Sequence, residues 1–232
     1  MSVDTRVVRQ LFSRIAPYYD FLNHVLSLNS DRGWRKKVVN TVEAAEDSKI
    51  LDLCTGTGEF AIEFARTCRA CRVYGVDFSR EMLKRAGEKI KKAGLEGQIN
   101  LVESDVFALP FRPGSFDIVS IGFGLRNLVD YPAGISVMAQ MLKKGGKIVI
   151  LEFSPPADTV FGGLHLFYLK NILPLVAGIC GGSCEAYRYL SVSISGFASP
   201  RQVLDQMKFS GLINVRHLSM RCGLVNVYYG EK

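Results

Sequence analysis

Residues 49–61, KILDLCTGTGEFA, run from an apolar stretch into a glycine turn and straight out into a helix-forming segment. A buried strand over 49–54, closed by Gly56, Thr57 and Gly58 and followed by a helix over 60–67, is the opening unit of an open α/β sheet. Glycines in such a turn let the backbone bend sharply and let a ligand approach main-chain amides. Gly56-x-Gly58-x-x-Ala61 fits the G-x-G-x-x-G/A spacing of nucleotide-binding turns, and Asp77 lies about 20 residues on, placed to bind ribose hydroxyls. The same spacing suits several nucleotide cofactors and also a plain tight turn.

Working outward, strand patterns recur at 72–76, 99–103, 116–120 and 147–153. Helical patterns lie between them at 80–93, with Ser79 placed as a cap, and at 133–142, with the KKGG of 143–146 as a stop. Strands alternating with helices of this length predict a parallel sheet covered on both faces. After residue 155 the rhythm breaks: 156–198 carries apolar helical segments and no strand signal. A helix over 200–210 and two strand-like runs, 214–220 and 224–229, close the chain as an antiparallel hairpin. Upstream, Val7, Val8, Leu11 and Ile15 recur at helical spacing before Pro17, and a second short helix spans 34–42. The expected fold is a Rossmann-like α/β domain over 1–232. Its sheet is seven-stranded and mostly parallel, with a helical cap over 1–45 and a helical insertion over 156–198 beside the ligand-binding edge.

The 232 residues suffice for one such domain, and 48% apolar content excludes a disordered or collagen-like chain. The formal charge is +7. Residues 1–40 hold Arg6, Arg9, Arg14, Arg32, Arg35, Lys36 and Lys37 against Asp4, Asp20 and Asp31, a bias that favours an anionic partner or simply makes a solvated helix face. Residues 1–20 lack the apolar core of a signal peptide, so a cytoplasmic protein is expected. The apolar run over 160–179 is interrupted by Gly162, Gly163, His165, Lys170, Asn171 and Pro174, which argues against a membrane span and leaves an amphipathic cover that touches lipid. Cys68–Cys71 and Cys180–Cys184 have metal-like spacings but no knuckle context, so no metal is expected and reduced thiols are.

Three features separate the cofactors. Asp52 precedes the glycines and suits a cationic amino-acid tail better than a pyrophosphate, which it would repel. Asp105 ends the third strand, where it can meet an adenine amino group beside the Val106 amide. The sheet closes with a hairpin in place of a sixth parallel strand. Together they favour S-adenosylmethionine (SAM) over NAD.

DLCTGTGEF, VDFSREML, SDVFALPFRPGSFD and LKKGGKIVILEFSPP resemble the successive motifs of class I SAM-dependent methyltransferases. The opening FSRIAPYYDFLNHVLSLNSDRGWRK, then IGFGLRNLVDYP, LEFSPP and AYRYLSVSISGFASP, is similar to the ubiquinone/menaquinone biosynthesis C-methyltransferases, in family order and over nearly the whole chain. The turn at Cys54–Thr55, the VSISGFASP segment and GICGGSCEA depart from the family pattern. The resemblance implies SAM contacts at Thr57, Asp77, Asp105, Val106 and Gly122. Gly56 and Gly58 would shape the loop, and Phe78 would lie against adenine or pack as a core aromatic.

Ring-carbon methylation needs a nucleophilic carbon, made by drawing the proton from a neighbouring hydroxyl. A guanidinium is a poor proton acceptor, so Arg126 is expected to stabilise phenolate charge, directly or through a water, with Asn127 orienting the oxygen or that water. The alternative for Arg126 is a surface pair with Asp130. His165, Tyr187 and Tyr189 are candidates for the ring pocket, or packed side chains. Leu164, Leu166, Phe167, Leu169, Ile172, Leu173, Leu175 and Val176 offer more apolar surface than a small polar metabolite needs. A prenylated quinol would use it at about 0.8 kcal/mol per buried methylene; so would a core or a dimer face. The expected reaction is therefore SAM-dependent C-methylation of a lipid quinol, demethylmenaquinol ahead of the ubiquinone precursor, by a peripheral membrane enzyme. A methyltransferase for another hydrophobic phenol or sterol is the alternative. A nucleic-acid partner is not expected, because no NPPY-like tetrapeptide follows the fourth strand.

Overall fold

A computed structural model describes residues 30–155, 184–220 and 223–232. Candidate His165 and the apolar run of 156–183 lie outside the described residues. Of Tyr187 only its place in a helix is described.

Helix α1 (Asp31–Val42) precedes β1 (Lys49–Leu53), α2 (Glu59–Thr67), β2 (Arg72–Asp77), α3 (Arg80–Ala93) and β3 (Ile99–Glu103). Then come β4 (Phe116–Gly122), α4 (Tyr131–Met141), β5 (Leu142–Phe153), α5 (Cys184–Ser195), α6 (Pro200–Phe209), β6 (Ile213–Met220) and β7 (Val225–Glu231). The sheet order is β3-β2-β1-β4-β5-β7-β6. Strands β1 to β5 pair in parallel, whereas β7 pairs antiparallel to both β5 and β6. This is the seven-stranded, mostly parallel arrangement read from the sequence.

Interior strands covered on both faces must be apolar throughout, and β1 shows it: Ile50, Leu51 and Leu53 are fully buried. One face packs α1, α2 and α3 through Val38, Phe64, Ala86 and Ile90. The other packs α4 and α6 through Ile135, Met138, Val203 and Met207. Caps set the helix starts. The Ser79 side chain accepts from the Met82 N–H, Asp130 from Ala133, and Ser199 forms a capping box with Gln202.

The structure corrects two expectations. The helix does stop just before KKGG, at Met141, but the fifth strand starts earlier than 147: β5 begins at Leu142 and runs through KKGG. Gly145 (φ 75°) donates to the Lys232 carbonyl at 2.7 Å and Lys232 returns a bond to Gly146 at 3.0 Å, so pairing with the chain's last residue holds the glycines in the sheet. Cys68 and Cys71 are joined in a disulfide, not reduced, because the turn between α2 and β2 brings their Cα atoms to 5.4 Å. Among the described residues no helix is long and apolar enough to cross a membrane, and no cluster of metal-ligating side chains occurs.

Candidate active site

The carboxyl ends of β1, β2 and β4 meet around a narrow cleft lined by Cys54, Gly56, Asp77, Phe78, Met82, Gly122, Phe123, Gly124 and Asn127. Five sequence candidates (Gly56, Asp77, Phe78, Gly122 and Asn127) are thus brought to one wall. The turn is tight. Cys54, Gly56 and Gly58 all have positive φ, at 51°, 57° and 82°, which glycine adopts freely and cysteine does not. Gly124 is required by proximity, since a Cβ there would sit 2.5 Å from the Cys54 Cβ.

Asp77 holds the turn in place. Its carboxylate accepts from the Gly56 N–H at 2.8 Å and the Ser79 N–H at 2.9 Å, and burial pushes it up to about 6. Asp52 lies deeper than expected for an ammonium contact. Only 1% exposed, it accepts from Thr55 Oγ1 at 2.6 Å and Ser120 Oγ at 2.8 Å, and burial raises it to about 6 against those two donors. It acts on the cleft through its field. Thr57 turns its hydroxyl to Lys89 Nζ, 3.0 Å away, which also pairs with Glu59 at 2.6 Å. Gly58 begins α2, against Ala86 of α3. Asp105 caps the short turn Val106–Ala108 by accepting from the Phe107 N–H, and Val106 is buried beside it.

The field in the cleft is negative. Burial first, then the charges of Asp77, Asp52, Asp105 and Glu152, push the Cys54 thiol well above its ordinary range. Burial opposes any charge there, but the four acids oppose an anion and attract a cation, so a sulfonium with an ammonium tail suits them where a pyrophosphate would not. Phe78 and Met82 supply an apolar wall for a flat base. The residues present fit SAM.

Arg126 is not on the surface with Asp130. It is buried, and its Nη1 donates to Glu152 Oε1 at 2.7 Å and to the Phe123 carbonyl at 2.6 Å. The Arg126 main-chain N–H donates to Glu152 Oε2 at 3.1 Å. Asp130 is occupied as the α4 cap, which removes the alternative. Arg126 Nε is buried with no hydrogen-bond partner among the described residues. Asn127 Oδ1 accepts from Tyr189 of α5 at 2.9 Å, so the structure unites Arg126, Asn127 and Tyr189. Burial raises the Tyr189 phenol, with Arg126 pulling it down and Glu152 pushing it up. Sequence reasoning missed Glu152 as a working residue; its signal was a lone acid at the end of the apolar run 147–153. It also missed Phe123, Met82 and Arg35.

A family model described as the ubiE/COQ5 methyltransferase family matches residues 1–232. The chain belongs to the ubiE/COQ5 methyltransferase family. It is 40% identical over 226 residues to the ubiquinone/menaquinone biosynthesis C-methyltransferase UbiE of Geotalea uraniireducens, covering 97% of this chain and 96% of that protein. It is 37% identical over 227 residues to the demethylmenaquinone methyltransferase of Deinococcus radiodurans, covering 98% and 93%. A SAM-dependent methyltransferase of Thermotoga maritima shares the fold, with a TM-score of 0.67 at 16% identity over 96% of this chain and 98% of that one. So does the Haemonchus contortus phosphoethanolamine N-methyltransferase 2 in complex with SAM, with a TM-score of 0.65 at 17% identity over 86% and 52%. As a ubiE/COQ5 family member the chain is a SAM-dependent C-methyltransferase of the class I fold.

Proposed function

We propose that the chain methylates a ring carbon of a prenylated hydroquinone, converting demethylmenaquinol to menaquinol. The observation that carries this reading is Arg126: a buried guanidinium with an unmet Nε–H, next in sequence to cleft-lining Asn127. A buried donor without a partner gains most from a developing oxyanion. When bound, SAM supplies an electrophilic methyl group that moves to an aligned nucleophile. Phe78, Met82 and the turn over 54–58 would hold its nucleoside end, with Asp77 and Asp105 available to its polar groups. Glu152 fixes Arg126 and balances its charge, so Arg126 stabilises a phenolate without drawing its proton. The hydroxyl proton passes to water and out to solvent as the methyl–sulfur bond breaks and the methyl–carbon bond forms, and Asn127, oriented by Tyr189, holds the ring oxygen.

The apolar composition of 164–176 supports a substrate with a long prenyl tail. Arg32, Lys36 and Lys37 form an exposed basic stripe on α1 that rests on an anionic leaflet, so the enzyme works from the membrane surface. The test is transfer of a radiolabelled methyl group from SAM to reduced demethylmenaquinone, with a demethoxyquinol alongside, under strictly reducing conditions. Label on the demethylmenaquinol is expected. Label on neither quinol would move the substrate to another hydrophobic phenol or a sterol.

A further inference from the structure

Two buried arginines bracket a pair of aromatic rings at the cleft. The Phe123 and Phe153 centroids are 4.7 Å apart; the Arg35 guanidinium lies 5.6 Å from the Phe123 centroid, and that of Arg126 lies 5.5 Å from Phe153. Arg126 is fixed through Nη1 on Glu152 and the Phe123 carbonyl. Arg35 is held by a single bond. It projects inward from α1 beside Trp34, with the residue only 7% exposed. Among the described residues its one hydrogen bond runs from Nη1 to Asp31 Oδ2 at 2.5 Å. A guanidinium has five N–H donors in a flat fork, so the Nη2 and Nε side remains to be used.

The ring it faces, Phe123, lines the cleft together with Cys54, Gly56 and Gly122. The positive charge of Arg35 is felt at Asp52 beneath the turn. A zwitterionic amino-acid tail poses a problem in this cleft. Its ammonium suits the negative field, but its carboxylate is repelled by the same four acids and needs a fixed cation. Lys89 is committed to Thr57 and Glu59, and Arg126 to Glu152. We propose that Arg35 is the cofactor-binding residue that takes the α-carboxylate of SAM, so that the helix preceding β1 completes the donor site. This deepens the methyl-donor reading of the cleft and rests on it.

The test uses calorimetric titration of the wild-type chain with SAM and with decarboxylated SAM, which keeps the sulfonium and the ammonium and lacks only the carboxylate. A charge-assisted fork is expected to favour SAM by about 10- to 100-fold. Arg35→Gln should bring that ratio close to one by weakening SAM alone, with decarboxylated SAM bound about as before. Asp31→Asn combined with Arg35→Gln, which leaves no unpaired buried carboxylate, should do the same. Equal affinities in the wild type, or a parallel loss of both ligands in the variants, would overturn the assignment. Methyl transfer to quinol with a ratio near one would sink Arg35 and spare the substrate. An intact ratio without quinol methylation would do the reverse.

Discussion

The Asp31–Arg35 pair and the Arg126–Glu152 pair are both buried, each stands against one ring of the Phe123–Phe153 pair, and they are built differently. Glu152 is fully buried and accepts from Arg126 Nη1, the Arg126 N–H and the Phe153 N–H. It is a closed socket in which the arginine is clamped through Nη1 and its own main-chain N–H, with Nε buried and unmet among the described residues. Asp31 and Arg35 are one helical turn apart on α1, joined through one guanidinium nitrogen. That pair neutralises charge and leaves most of the fork open. The difference teaches that burying a cation can serve two ends. A clamped guanidinium offers a rigid point of positive potential, and a half-used one offers a binding surface.

The largest expected effect comes from opening the socket. Glu152→Ala would strand Arg126 as an unpaired buried charge and should cost about 3–5 kcal/mol in urea unfolding. Asp31→Ala should cost less, about 1–3 kcal/mol, because Arg35 makes fewer bonds. Equal losses would erase the distinction. Next comes pH. Burial places the Asp52 carboxyl at about 6 in the folded state against an ordinary 3.8. Below about 4 it is protonated folded and unfolded, with no effect. Between about 4 and 6 the folded state holds the extra proton, so stability falls as pH rises, reaching a cost of about 3 kcal/mol above 6. Asp77 acts in the same direction. Asp52→Asn should therefore be more stable than wild type at pH 7 and approach it near pH 4; parallel unfolding curves would contradict this.

Gly124→Ala should cost about 1–3 kcal/mol by overpacking against Cys54 and weaken SAM binding as the turn shifts. The smallest effect is expected from reducing the Cys68–Cys71 disulfide. It closes a very short loop and is worth about 2 kcal/mol. It also lies in the turn between α2 and β2 and does not line the cleft, so SAM affinity should not change.

The turn at 54–58, the Ser79 cap and the closing hairpin were legible because each is a local pattern: a run of glycines, a capping hydroxyl, two alternating runs with a short gap. The pairs were not, for a physical reason. Arg35 sits among Arg32, Lys36 and Lys37 and reads as one more charge on a basic arm. Only packing of α1 against α2 and β5 shows that its neighbours face out and it faces in. Glu152 reads as a strand end, since nothing local says that Arg126, 26 residues earlier, arrives beside it. Asp52 was legible as an acid at the end of the first strand, but not that two hydroxyls would claim its oxygens. The Cys68–Cys71 bond depended on how tightly the chain turns from α2 into β2.

The division of labour between the two arginines is tested most directly by Arg126→Gln, followed in two readouts on one preparation: turnover of reduced demethylmenaquinone and equilibrium affinity for SAM. If Arg126 carries phenolate charge, turnover should fall by about two orders of magnitude or more while SAM affinity stays within about twofold. An equal loss in both would show that Arg126 holds the donor site together, and would contradict its role in the chemistry.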